Sequence, residues 1–193
     1  MEKTRLEAFS DGVLAIIITI MVLELKVPHS SEWAVLSEML PVFMGYILSF
    51  IFVGIYWVNH HHLLHLARHV NSAIMWANLN LLFWLSLIPF ATGWMGENHF
   101  STNTVVVYAI LLELCGVAFT ILQWTITRSQ HIDEALQLAV KRLTRKGLLS
   151  MVAYSIAIAA AFYNTNISCF LFVFVAIMWL VPERSIESAL NSK

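Results

Sequence analysis

Charged residues are scarce in this sequence. Only 12% of its 193 residues are Asp, Glu, Lys or Arg, whereas soluble domains carry about 25%. Hydrophobic residues make up 59% of the chain, so a water-soluble fold would lack the polar groups needed to cover its surface. The composition therefore predicts an integral membrane protein that has the lipid bilayer as its main solvent.

The net charge is close to zero, and cysteine is rare. A net charge of −1 provides no basic field for a nucleic-acid partner. The only cysteines, Cys115 and Cys169, lie inside apolar runs, where small core residues are expected rather than a disulfide framework. The sequence has no nucleophile elbow, phosphate loop or metalloprotease helix motif. We therefore predict neither an enzyme nor a nucleic-acid-binding protein, with no catalytic residue, no bound metal and no resident cofactor.

Six hydrophobic stretches occur along the chain. The second, third and fourth are long enough to cross the hydrocarbon core, whereas the fifth and sixth are slightly short. They predict an all-α integral membrane protein in which residues 1–193 form a single domain. Between the fourth and fifth stretches, apolar residues recur at helical spacing and predict an interfacial helix at about 131–146. The six predicted transmembrane helices cover about 9–27, 34–63, 73–95, 104–127, 148–163 and 167–181.

The basic residues predict the orientation in the membrane. With the N-terminus inside, only Lys26 lies on the outer side. The predicted inner segments contain the other ten, which are Lys3, Arg5, Arg68, Arg128, Lys141, Arg142, Arg145, Lys146, Arg184 and Lys193. Positive residues accumulate on the cytoplasmic side of membrane proteins. We expect a multi-pass protein of the cell membrane with both termini in the cytoplasm.

The first helix is unusual because charges lie close to both of its ends. Asp11 and Glu24 are separated by twelve residues, which are apolar except for Gly12 and Thr19. Charged groups at membrane depth face water or the bundle interior rather than lipid. At 100° per residue, one stripe of this helix contains Gly12, Ile16, Thr19, Ile20, Leu23 and Val27. An apolar stripe between polar ends suits the dry middle of a pore, although a stripe packed in a core has the same period.

Short motifs near the membrane edges provide a more specific signal. They consist of Arg5, Phe9, Ser10 and Asp11 entering the first helix, Trp57 and His60 at the end of the second, and Asn80 with Pro89 and Phe90 in the third. Together with six helices and inside termini, these motifs resemble the transmembrane protein 175 family. That family comprises the endolysosomal potassium channels of animals and their single-repeat prokaryotic relatives.

The resemblance implies a potassium-permeable channel without the TVGYG filter, a string that this sequence also lacks. By position it implies that Ile16 forms the principal constriction, that Ile20 and Leu23 form further rings, and that Thr19 forms a hydroxyl layer. First helices would surround a central pore in a homotetramer, with K⁺ as the permeant ion. The family's motif residues would be structural, and we expect Asp11 to accept hydrogen bonds from Trp57, His60 and Arg5.

Two other functions are compatible with the sequence. Histidine side chains can bind haem or zinc. The sequence contains a run of them, His60, His61, His62, His65 and His69. A haem-bearing membrane oxidoreductase is therefore an alternative, but we favour histidines at the membrane interface. Glu113 lies in the middle of the fourth helix, so a proton-coupled transporter is a second alternative. A hydrogen-bonded Glu113 that faces Asn78 or Asn80 would instead be structural.

Overall fold

The regular elements of the chain are α-helices. The computed structural model describes residues 2–67, 69–129 and 134–180, with the side chains of 134–136 left out, and these ranges contain no strand. The helices are α1 (Lys3–Leu23), α2 (Trp33–Glu38), α3 (Leu40–His65), α4 (Ser72–Ser86), α5 (Ile88–Glu97), α6 (Thr102–Ser129), α7 (Glu134–Ala161) and α8 (Thr165–Leu180).

Several helices are long and apolar enough to cross a membrane. In the described part of the chain these candidate spans are Lys3–Leu23, Leu40–His65, Ser72–Glu97 and Thr102–Ser129. Helix α8 is apolar but has only 16 residues. Helix α7 has 28 residues, and its first half is rich in Lys and Arg. Length and composition thus support four spans directly, whereas α7 and α8 need their packing to be considered.

Prolines divide two of the predicted helices. The predicted helix 73–95 is two helices, α4 and α5, because Pro89 has no N–H for the carbonyl of the preceding turn. At the junction, the N–H of Leu87 bonds to the carbonyl of Trp84 at 3.2 Å, as in a tighter 3₁₀ turn. The predicted helix 34–63 likewise divides into α2 and α3, with Pro41 in the first turn of α3. Proline is well tolerated there because first-turn N–H groups have no intrahelical acceptor.

The first helix lies closer to the N-terminus than the predicted range 9–27. Helix α1 begins at Lys3 and ends at Leu23, where Glu24 N–H bonds to Met21 carbonyl at 3.3 Å. Val27 directly precedes Pro28, and a residue before proline is disfavoured in helical conformation. The inclusion of Val27 in the helical stripe was therefore wrong, since it lies beyond the helix.

The predicted interfacial helix 131–146 is not a separate element. Its described part continues through Gly147 into the next predicted helix, 148–163, so that both form α7. Gln123 of α6 donates from its amide to the hydroxyl of Thr144 at 2.7 Å, and Ala139 and Leu143 are buried. The described part of the segment therefore packs against the bundle. Residues 131–133 lie outside the described residues.

Helices α7 and α8 form a hairpin at Asn164. The side chain of Asn164 accepts a hydrogen bond from the N–H of Asn166 at 2.9 Å, which closes the turn. Further along the pair, Ser168 donates to the carbonyl of Ala157 at 2.7 Å. These contacts connect the short helix α8 firmly to α7.

The arrangement of helices leaves α1 at the edge of the subunit. Helix α1 packs against α3, α4 and α5, whereas α6 contacts α4, α5, α7 and α8. The core of the remaining bundle includes edge-to-face or tilted contacts of Phe172 with Tyr108 and Tyr154, at centroid distances of 5.3 and 6.4 Å. One side of α1 therefore faces neither α6 nor α7 nor α8.

Close backbone packing between α3 and α5 requires a glycine. A Cβ added at Gly96 would lie 2.7 Å from the Cα of Val42, whereas one added at Gly54 would meet no atom within 4 Å. We expect Gly96→Ala to reduce the free energy of unfolding by about 1–3 kcal/mol, because backbone has to move. Gly54→Ala is the matched control and should be neutral or slightly stabilising. Thermal unfolding in detergent, followed by circular dichroism, measures the difference, and equal melting temperatures would contradict the packing described.

Candidate pore-lining helix

Helix α1 has one packed face and one open face. Leu6, Ser10, Leu14, Ile17 and Met21 are buried against the neighbouring helices. On the opposite side, Ile16 is 56% exposed, Ile20 45% and Leu23 75%. Ile17, one residue away from Ile16, is only 3% exposed. The stripe predicted from the sequence, apart from Val27, therefore faces away from its own subunit.

Thr19 places the only side-chain hydroxyl on this open face. The side chain is exposed, and its Oγ1 donates to the carbonyl of Ile16 at 2.9 Å. The lone pairs of the hydroxyl oxygen are then left to interact with something outside the subunit. Together with Ile16, Ile20 and Leu23, Thr19 forms what we call the α1 stripe.

Carboxylates lie at the C-terminal end of the α1 stripe. Glu24 follows the helix directly, and its side chain lies against Gly93 of α5, where an added Cβ would be 2.5 Å from its Oε2 and would displace the carboxylate. Glu97 of α5 forms an ion pair with Lys26. The hydrogen bond to Glu97, with its negative charge, raises the pKa of the Lys26 ammonium above its ordinary value.

A groove runs along the α1 stripe on the side of α5. Its volume is about 510 Å³, and its walls include Ile16, Ile20 and Glu24 from α1. Phe90 and Trp94 of α5 form the opposite wall and stack at a centroid distance of 6.3 Å. The stripe is therefore flanked by an open, mainly apolar surface that ends at carboxylates.

A half-buried carboxylate, that of Asp11, lies toward the N-terminal end of the helix, among the motif residues. The indole Nε1 of Trp57 on α3 donates to Oδ1 of Asp11 at 3.0 Å. This contact joins two residues that the sequence analysis placed together. It gives the Asp11 carboxylate a strong donor and fixes the distance between α1 and α3 at this depth.

A chain of buried hydrogen bonds starts at Ser10, the residue before Asp11. His60 Nε2 is 2.6 Å from Oδ1 of Asn78, and Nδ2 of Asn78 donates to Oγ of Ser10 at 2.9 Å. Ser10 in turn donates to the carbonyl of Leu6 at 2.8 Å. Since an amide oxygen only accepts, the proton is on Nε2 of His60. All three side chains are almost fully buried, and the chain connects α1, α3 and α4.

Other motif residues lie outside this cluster. Asn80, which the sequence analysis placed in the network, is exposed, and the position that joins it is Asn78. The two differ by 200° around α4, so only one of them can face α1. Phe9 is exposed, and the exposed side chain of Arg5 has no hydrogen-bond or ion-pair partner in the described part of the chain. The structure therefore brings Ser10, His60, Asp11 and Trp57 together but not Arg5, Phe9 or Asn80.

Comparison with known proteins places these features in a family. The sequence model described as "Endosomal/lysosomal potassium channel TMEM175" matches residues 5–89, which contain all but the first two residues of α1, the whole of α2, α3 and α4, and the hydrogen-bonded side chains of Ser10, Asp11, Trp57, His60 and Asn78. A potassium channel of a Chryseobacterium species is 50% identical over 191 residues, which is 99% of each chain. The chain belongs to the TMEM175 family. A potassium channel of Streptomyces collinus is 32% identical and covers 86% of each chain.

The fold of this TMEM175-family chain also has a solved counterpart. The crystal structure of a lysosomal potassium-selective channel TMEM175 homolog from Chamaesiphon minutus matches with a TM-score of 0.80 at 27% identity. The match covers 95% of this chain and 98% of the other. The human endosomal/lysosomal proton channel TMEM175 is 29% identical over 86% of this chain, but only 36% of the human protein is covered.

Glu113 lies apart from the TMEM175 motifs. Its Oε1 accepts a hydrogen bond from the hydroxyl of Ser155 on α7 at 2.7 Å, and neither Asn78 nor Asn80 contacts it. The predicted partner was therefore wrong, because α6 presents this side chain to α7 rather than to α4. The hydrogen bond of Glu113 goes to Ser155 and not to a histidine, so it does not support the alternative of a proton path from Glu113 to the histidines.

Asn78 and Asn80 provide a matched test of the buried chain. Asn78→Ala removes a partner from both His60 and Ser10, and each buried polar group left unpaired costs about 1–3 kcal/mol. We expect a clear loss of thermal stability in detergent. Asn80→Ala should change stability by less than about 0.5 kcal/mol, as surface substitutions usually do. A larger effect at Asn80 than at Asn78 would contradict the assigned network.

Proposed function

We propose that this chain is one subunit of a homotetrameric, potassium-permeable cation channel in which α1 lines the central pore. The observation that carries the proposal is the α1 stripe. Its apolar side chains and one hydroxyl face away from the subunit, between ends that carry charge. Lipid would be an unfavourable neighbour for Asp11 and Glu24, whereas a water-filled vestibule at each end would solvate both.

Six membrane crossings fit the helices and the charges. Besides the four candidate spans, the second half of α7 and the hairpin partner α8 supply two more crossings. The first half of α7 would extend into the cytoplasm with its basic residues, which agrees with the positive-inside distribution. Both termini would then be cytoplasmic in the cell membrane, and Lys26 would lie on the outer side with Glu24 and Glu97.

One copy of α1 cannot enclose a pathway, so several copies must surround an axis. Closed cyclic symmetry is the usual arrangement of identical subunits. The human relative supports four copies, because this chain matches only 36% of it and a second repeat would fit within the remainder. Two such proteins would provide the same number of first helices as four of these chains.

Permeation would depend on whether water fills the pathway along the α1 stripe. From Ile16 to Leu23 the helix rises by roughly 10 Å. A ring of Ile16 side chains would narrow the pathway, and rings of Ile20 and Leu23 would lengthen the apolar zone, which gates by dewetting. Thr19 would interrupt this zone with hydroxyl oxygens that replace part of the ion's hydration shell. A cation with a weakly held shell, such as K⁺, is favoured when only a few oxygens are offered.

The carboxylates of Glu24 and Glu97 would concentrate cations at the outer mouth. Rings of acidic side chains do this in cation channels because their fields add at the axis. Lys26 pairs with Glu97 and reduces its contribution, so Glu24 would supply most of the attraction. No bound cofactor has a role in this scheme, since the ion itself is the only ligand.

Cysteine substitution at neighbouring positions tests the proposal. In a background with Cys115→Ser and Cys169→Ser, Ile16→Cys should allow K⁺ flux in liposomes that a charged methanethiosulfonate reagent reduces by most of its value. Ile17→Cys is the matched control, since Ile17 is buried against the subunit. We expect its flux to be insensitive to the reagent. Equal inhibition of K⁺ flux by the reagent at the two positions would contradict the assignment of Ile16 to the pore.

The same liposomes separate the proposed ion from other ions. We expect K⁺ flux to exceed Na⁺ flux and to proceed without a proton gradient. Flux that saturates and requires a proton gradient would indicate a coupled transporter instead, and flux of protons alone would indicate a proton channel. Either result would contradict a potassium-permeable pore.

A further inference from the structure

The last turns of α3 carry two histidines whose rings face each other. His61 and His65 are one helical turn apart, so their side chains lie on the same face. Both are exposed, and their ring centroids are 4.5 Å apart at an interplanar angle of 73°. The buried chain that orients α1 does not use either ring.

The distance between the rings suits a shared metal ion. An imidazole nitrogen binds Zn²⁺ at about 2.0–2.1 Å, which puts the metal about 3.2 Å from the ring centroid. Two rings at 90° to 110° around one metal therefore have centroids about 4.5 to 5.2 Å apart. The His61–His65 distance lies at the short end of this range. Helical histidines with this spacing supply two zinc ligands in metalloproteases.

We propose that His61 and His65 form a binding site for a divalent transition-metal ion, of the class Ni²⁺, Cu²⁺ or Zn²⁺. Imidazole is a preferred ligand for these ions. Among the described residues, no group of three His, Cys, Asp or Glu side chains converges to hold a metal. Water would therefore complete the coordination shell, and the ion would exchange with solvent.

His62 is excluded as a ligand shared with His61. Its ring is 6.1 Å from that of His61, beyond the range for two rings on one metal. Adjacent residues of a helix also point about 100° apart. The specificity of the site thus comes from the four-residue spacing and not from the number of histidines in the run.

A metal at this place would act on the contact between α3 and the start of α1. His65 is the last residue of α3, and its carbonyl accepts a hydrogen bond from Nζ of Lys3 at 3.2 Å. Lys3 also pairs with Glu7 at 3.7 Å. An ion held by both rings would restrain the final turn of α3, on which the first turn of α1 rests. The binding site itself is independent of the proposed channel function.

Calorimetric titration of the purified, tag-free protein with NiCl₂ tests the site. We expect one Ni²⁺ to bind per subunit. His61→Gln or His65→Gln should weaken binding by roughly ten- to hundredfold, because each variant converts a chelate into a single ligand. His29→Gln is the control, since His29 is an exposed histidine in the loop after α1. It should bind Ni²⁺ as the unmodified protein does.

Two further measurements make the outcome unambiguous. Melting temperatures without metal should be equal for all variants, because the exposed rings hold no buried contact. The electron paramagnetic resonance spectrum of bound Cu²⁺ should show two equivalent imidazole nitrogens, and one in either variant. Unchanged Ni²⁺ affinity in His61→Gln and His65→Gln, or equal loss in His29→Gln, would overturn the proposal.

Discussion

The rotation of α1 about its own axis depends on a short chain of buried hydrogen bonds. Ser10 of α1 meets Asn78 of α4, which in turn meets His60 of α3, and the three side chains are almost completely buried. A rotation of α1 by half a turn would leave Asn78 without its acceptor and place Ser10 outside the subunit. Because a buried unpaired polar group costs about 1–3 kcal/mol, this chain restricts which side chains of α1 face outward. The hydrogen bond from Trp57 to Asp11, the residue after Ser10, restricts the same rotation of α1.

The consequence is that α1 contributes only one face to the core, while the α1 stripe on the other face is left exposed on the subunit. The bundle of α6, α7 and α8 buries Tyr108, Phe119, Tyr154 and Phe172 without contribution from the α1 stripe. The polar contacts of this bundle are separate too, such as Trp179 Nε1 with Ser150 Oγ at 2.8 Å. The TMEM175 homolog from Chamaesiphon minutus shares the overall fold, with a TM-score of 0.80 over 95% of this chain. A scaffold that is complete without the stripe leaves the stripe available for a pathway between subunits.

The sequence predicted the features that depend on local periodicity. Ile16 and Ile17 are chemically identical, yet helical spacing assigned the first to the stripe, and the structure exposes it while burying the second. Asn80 shows the limit of matching a motif by order along the chain. Asn78 shares its face with Ile74, Leu81 and Leu85, which are buried, and this spacing was the signal that would have identified it.

Other features could not be predicted because they depend on contacts between distant segments. The basic first half of α7 was predicted as an interfacial helix from its own amphipathic pattern. It forms one continuous helix with 148–161 and is joined to α6 by Gln123, 21 residues before Thr144, which bonds to it across the bundle. The partner of Glu113 is Ser155, 42 residues away, and no pattern within α6 points to it.

The most direct test of the central claim is the distance between copies of α1 in the assembled protein. A spin label at Leu23→Cys, in a background with Cys115→Ser and Cys169→Ser, would be measured by double electron–electron resonance in liposomes. Four copies around an axis predict two distances in a ratio of about 1.4, both shorter than those from a label at the exposed Ile156 of α7. The absence of distances between subunits, or longer distances from Leu23 than from Ile156, would contradict a pore lined by α1.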